Sequence, residues 1–142
     1  MANAENIMNG SFGEIWLDGE KVAEAYGLEA KIELEKEEIA MCGRPGTDTK
    51  FMGYKGTGSI KMHKMNSRMM LKLSHRIKQG INPRLQILSA LADPAAKGAE
   101  RILIKDAAFD DLTLAAWETK AKGELECPFT FSDWELLDIV QP

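Results

Sequence analysis

Apolar and polar residues alternate along much of this chain. Leu28, Ala30, Ile32 and Leu34 alternate with Glu29, Lys31, Glu33 and Glu35, the two-residue period of a strand with one wet face. The alternation fails at Lys36–Glu38 and resumes with Ile39 and Met41, which predicts a bulge or a local twist. Upstream, Ile15 and Leu17, a turn at Asp18-Gly19, and then Val22 predict a β-hairpin. The segments 84–91 and 101–109 predict two further strands, with a single helical turn at Asp93–Gly98 between them (Asp93 as cap, Pro94 first in the turn). Near the end, Leu125, Cys127, Phe129 and Phe131 point one way and Glu124, Glu126, Thr130 and Ser132 the other. Pro128 has no N–H for a ladder, so an edge or a bulge is expected there. The period lengthens once. Over 66–80, Met69, Met70, Leu73 and Ile77 share one helical arc, and Arg68, Lys72, His75, Arg76, Lys78 and Gln79 share the other. Asn66 or Ser67 suits the start and Gly80 the stop. The pattern predicts a mainly β domain, a sandwich or partly open barrel, with one flanking α-helix packed on its sheet.

The 142 residues, 44% hydrophobic and 28% charged, fit a single domain over 1–142 with one real core. A net charge of −4 argues against general nucleic-acid binding. No run of eighteen apolar residues is present, so no membrane span is expected. The first ten residues are polar, without an apolar h-region, and no signal peptide is expected. Cys42 and Cys127 are far apart and are expected to be free thiols.

Residues 42–59, CGRPGTDTKFMGYKGTGS, hold five glycines and a proline and read as a long loop. They lack the G-x-x-x-x-G-K-[ST] frame of a phosphate loop, and no helix starts behind them. His63, His75, Cys42 and Cys127 lack the local spacing of a zinc site and are read as solvated histidines and free thiols. The carboxylates form one strand face instead of a converging pair. No catalytic, metal or cofactor site is expected. What stands out is assembly: a long loop is usually functional, this one carries Phe51, Met52 and Tyr54, whose exposure would mark a contact surface, and the strands have little edge protection.

GSFGEIWLDGEKVAE, GYKGTGSIKMHKMNSR, DPAAKGAERI, FDDLTLAAWE and PFTFSDWELLD, in this order and spacing, resemble the tail tube proteins of contractile-tailed phages and phage-derived particles, the family of the PBSX-type core tail protein, R-type bacteriocin tubes included. The resemblance implies a non-enzymatic subunit of the inner tube of a contractile tail. Hexameric rings would stack inside a sheath, with the inner sheets joined into one continuous barrel. It implies as partners the chain itself, the sheath, baseplate and tape-measure proteins, DNA only as transient cargo, and no stable membrane association. The place would be a virion or phage-like particle assembled in the bacterial cytoplasm. Four strands per subunit would give a ring of about 24, a circumference of about 150 Å and a channel of about 40 Å. In this setting the segment at about 42–58 is expected to be a glycine-rich arm anchored by Phe51, Met52 and Tyr54. Glu29, Lys31, Glu33 and Glu35, with Glu124 and Glu126, are lumen-facing candidates that would make a mostly negative wall. Arg68, Lys72 and Arg76 are sheath-facing candidates on an outward basic face. The alternatives are a ring or carrier of the type VI secretion class and a monomeric β-barrel binding a small ligand. The residues leave open whether the particle is a phage, a defective prophage or a bacteriocin.

Overall fold

The computed structural model describes residues 10, 13–40, 42–43, 46–92 and 98–140. Met41 and the turn expected at Asp93–Gly98, apart from Gly98, lie outside them. The first strands, β1 (Gly13–Leu17) and β2 (Glu20–Lys21), form the expected hairpin. Asp18 and Gly19 have φ of 48° and 85°, the left-handed pair a two-residue turn between twisted strands requires. Two hydrogen bonds fix this turn sideways: Asp18 N–H donates to the Gln86 carbonyl (3.0 Å), and Gln86 N–H to the side-chain Oδ1 of Asp18 (2.8 Å).

Two long strands follow, β3 (Ala25–Ala40) and β4 (Thr47–His63). From Thr47 onward the glycine-rich segment is therefore not a loop but part of a 17-residue strand, paired with β3 from Thr47 to Met62. The irregularity expected at Lys36–Glu38 is a register shift between Glu35 and Lys36, and the extra residue, Met52, sits on the partner strand. Glycine is needed in β4 for packing. A Cβ on Gly56 would lie 2.6 Å from the Phe131 ring, and one on Gly58 2.6 Å from the Phe129 ring and against the Glu29 carbonyl. These glycines face Phe131 and Phe129 in the register with β7 (Glu124–Phe131). The rings of β7 lie across β4 where β4 has no side chains, a large-on-small fit within one sheet.

The helix α1 (Arg68–Lys78) ends at Gly80, φ 76°. At its start the Arg68 N–H donates to Asn66 Oδ1 (3.0 Å), so Asn66 supplies the side-chain acceptor and Ser67 makes no side-chain cap. After it come β5 (Leu85–Leu91), β6 (Glu100–Phe109), β7 and β8 (Asp133–Asp138). The antiparallel order is β2-β1-β5-β6-β7-β4-β3, with β8 also on β6. β6 joins two halves of this open sheet. It pairs β8 up to Lys105 and β7 from Ala108, and the change falls at Asp106, φ 53°. Asp110 N–H donates to the Pro128 carbonyl (2.8 Å). β6 ends at this point, so the proline stands where the β7 flank becomes an edge, as its missing N–H requires.

The sheet curls around one core. Leu17, Ile60, Met62, Ile87, Ile104 and Phe129 are fully buried in it, and α1 closes it with Met69 and Leu73. The residues Val22–Glu24 link the two ends of the sheet, and the His63 N–H donates to the Glu24 carbonyl (2.9 Å). The chain is a mainly β, partly open barrel with one flanking helix.

Candidate assembly surfaces

Register brings the sequence's scattered polar residues to one face. Glu29, Lys31, Glu33 and Glu35 pair with Ser59, Thr57, Lys55 and Gly53, while Lys61 and His63 pair with Glu126 and Glu124. Directly opposed residues share a face, so all six expected residues lie on one wall of β3, β4 and β7. The middle strand adds Lys55 and Lys61, which the reading of β3 alone misses. Five carboxylates face three lysines, so the wall is mildly negative instead of mostly negative. Tyr26, displaced by a second register shift, stacks on His63 with centroids 4.6 Å apart. Desolvation, followed by the charge and hydrogen bond of Glu124 and the charge of Glu126, raises the Tyr26 pKa. His75 lies elsewhere, its Nε2 3.1 Å from the Gln79 amide.

The opposite face of β3 is core only as far as Ile32. β7 pairs β4 no further than Gly56, so Glu33–Ala40 and Thr47–Lys55 project as a two-stranded hairpin. Its underside carries on the apolar row with Leu34, Tyr54 and Phe51, all about half exposed. Met52 is also exposed. Tyr54 is not a free anchor. Its hydroxyl donates to the Ser132 carbonyl (3.0 Å) and its ring meets Trp134 edge-on at 5.3 Å, which fixes the hairpin's base to the β7–β8 corner. The outer edge of β3, 16 residues long, has no partner strand among the described residues. A compact 15.8 kDa monomer exposes about 7,300 Å². This chain exposes 10062 Å², and a hairpin wet on both faces contributes to the excess.

The helix corrects a further expectation. Arg68 and Lys72 do not form a free outward row with Arg76. Arg68 Nε binds Glu24 Oε1 at 2.8 Å and its Nη1 binds Glu20 at 3.2 Å, while Lys72 binds Glu20 at 3.2 Å. They pin α1 to the β1–β2 hairpin and its exit. Only Arg76 of the three is exposed and without an ion pair among the described residues. Glu24 is buried. Burial raises its pKa, but the hydrogen bond and charge of Arg68 outweigh this, so the carboxyl lies below its ordinary value. A depressed carboxyl stabilises the fold above its unfolded pKa and loses that contribution as pH falls through the folded one. Arg68→Ala strands the buried carboxylate and is expected to cost about 2–3 kcal/mol. The loss should shrink on acidification, as thermal melts from pH 7 to pH 3 beside the wild type will show. An equal loss at every pH would mean that Arg68 acts by packing alone.

Cys42 and Cys127 are free, the first exposed and the second buried. Burial, and then the charges of Asp111 and Glu126, push the Cys127 thiol up. Among the described residues no group of three or more His, Cys, Asp or Glu is placed to hold a metal. No helix among them is long and apolar enough to cross a membrane.

A model of the family described as phage tail tube protein matches residues 1–138. The chain belongs to the phage tail tube family. The phage-like element PBSX protein XkdM of Bacillus subtilis (strain 168) is 33% identical over 135 residues, covering 94% of this chain and 92% of that one. A solved Bacillus subtilis protein is 32% identical, with a TM-score of 0.55 over 95% of this chain and 98% of the other. The fold is shared more widely. It matches a chain of the sheath–tube complex of the extracellular contractile injection system PVC (TM-score 0.70, 10% identity, 96% of this chain and 95% of that one). It also matches the anti-feeding prophage tube-terminating cap (TM-score 0.75, 9% identity, 98% and 96%). A phage tail tube protein is a structural part of a tail particle and not an enzyme. The surfaces described above are therefore candidate assembly surfaces.

Proposed function

We propose that this chain is the repeating subunit of the inner tube of a contractile tail, built as six-membered rings stacked within a sheath. The observation that carries this reading is the open outer edge of β3. An unprotected 16-residue edge is a liability in a monomer and a joint in a closed barrel. In a ring it meets the flank of β7 that β6 leaves open at Glu124–Cys127 in the next copy. β3, β4 and β7 then supply three strands per subunit across this joint, and the end of β6 adds a fourth at the level of Phe129–Thr130.

The face bearing Glu29, Lys31, Glu33, Glu35, Glu124 and Glu126 lines the channel in this arrangement, because α1 covers the other side of the core. A mildly negative wall repels DNA phosphates and gives a passing duplex no counterion-releasing contacts. The hairpin, with Phe51, Met52 and Tyr54, is the arm that engages a neighbouring subunit. The helix turns to the sheath, with Arg76 as the remaining member of the basic row. A single exposed pair there is worth about 0–1 kcal/mol, weak alone and repeated around every ring. The similarity to sheath–tube and baseplate assemblies supports sheath and baseplate proteins as partners. A tape-measure protein and, in a phage, DNA in transit are the other contacts of such a tube.

The test is a triple substitution, Glu29→Gln, Glu33→Gln and Glu35→Gln. Channel residues touch no protein partner, so tubes of unchanged diameter are expected by electron microscopy. Loss of tubes, with the monomer still folded, would place this face in an interface instead.

A further inference from the structure

We propose that the groove between the C-terminal half of α1 and the Phe109–Leu114 segment is the receptor for the β3–β4 hairpin of a second copy of this chain. The proposal rests on the tube reading and names the partner of the hairpin. The groove is a cavity of about 600 Å³ whose apolar lining includes Leu73, Ile77, Ile81, Phe109, Leu112 and Leu114. Ile77, Ile81 and Leu114 are each about half exposed or more, so nothing among the described residues fills it.

The pairing registers place the groove away from the tip of the hairpin. β4 runs from the hairpin tip at Thr47 to His63, which faces Glu124 at the start of β7. β6 is antiparallel to β7, runs toward that Glu124 end and leaves the pairing at Phe109, opposite Phe129, and β5 begins at a similar level, with Leu85 facing Ala107. α1 and the 80–84 segment lie between His63 and Leu85, so the groove lies between the Glu124 end and the Phe129 level. The hairpin runs away from it, for about 24 Å past Tyr54. A knob and a hole set apart on one chain make a heterologous contact that repeats without closing, which is how stacked rings grow.

Charge gives the orientation. Lys78 lines the helix wall of the groove, and Asp110 and Asp111 line the facing wall. At the hairpin tip Glu37 and Glu38 lie on β3, and Lys50 lies across from Glu37 on β4. Lys36 and Asp48 have the opposite sign on those same strands, so the match rests on the Glu37–Glu38 pair and on Lys50. With β3 toward α1 and β4 toward Asp110–Asp111, the Glu pair meets Lys78 and Lys50 meets the aspartates, while Phe51 and Met52 enter the apolar floor. The reverse orientation sets like charges together on both walls.

The experiment is directed cross-linking in the full chain. Phe51→Cys and Ile81→Cys are combined in a Cys42→Ser background, tubes are assembled, and mild oxidant is added. A ladder of dimers, trimers and higher species is expected in denaturing gels, absent from either single-cysteine variant. Lys78→Glu should lower the yield of tubes at low salt, and Glu38→Lys should restore it. Tubes that form normally but give no ladder overturn the docking while leaving the tube reading intact. A wild-type chain that forms no tubes removes the reading and the docking together.

Discussion

Replacing residues 37–50 by a two-residue Asn-Gly turn is expected to leave a folded monomer that builds no tubes. The cut closes on the Lys36–Phe51 pair, and Asn-Gly supplies the two left-handed residues a short hairpin needs. No described residue of the excised stretch belongs to the buried core. Tyr54 keeps its bond to Ser132 and its contact with Trp134, so the base of the hairpin stays in place. Thermal melting should change by a few degrees at most, while sedimentation shows a monomer where the wild type pellets as tubes. If the trimmed chain still makes normal tubes, the projecting hairpin is not an assembly element.

Gly58→Val acts on the opposite property, the fold itself. A Cβ at Gly58 meets the Phe129 ring at 2.6 Å and the Ala30 Cα at 3.1 Å, besides the Glu29 carbonyl. Two of these neighbours are backbone and the third is the most deeply packed ring of the core, so none can yield cheaply. Overpacking of this kind costs about 3 kcal/mol or more. The variant is expected to melt about 10 °C or more below the wild type and to lose tubes because it loses the subunit. Gly46→Ala, where nothing lies within 4 Å of the added Cβ, should leave both fold and assembly unchanged. A Gly58→Val melt equal to the wild type's would mean that the Phe129 ring is not seated on β4.

These two variants also show why the glycine-rich segment misleads. Its composition is that of a loop, and local composition cannot reveal that two glycines of a strand are covered by Phe129 and Phe131 seventy residues later. The alternation at Leu28–Leu34 is legible because each strand face repeats within a few residues. The turn at Asp18-Gly19 and the stop at Gly80 are legible because each is fixed by backbone conformation at one site. The polar wall is half legible. Period two puts Glu29, Lys31, Glu33 and Glu35 together, but only the register with β4 adds Lys55 and Lys61. The basic row of α1 fails for a similar reason. Helical spacing shows that Arg68, Lys72 and Arg76 share a face, and says nothing of Glu20 and Glu24, which reach that face from the opposite end of the sheet. The two carboxylates upstream of the basic helix, Glu20 and Glu24, are the signal that the sequence offers.

The central claim is that the free edge of β3 is completed by the next subunit in a continuous barrel. Helical reconstruction of tubes assembled from the purified chain tests it most directly. The account expects six subunits per ring, strand spacing of about 4.8 Å running unbroken from β3 of one copy to β7 of the next, and Glu29, Glu33 and Glu35 on the wall of a channel about 40 Å wide. Rings whose subunits meet through α1 or β8, with the β3 edge bare to solvent, would contradict it.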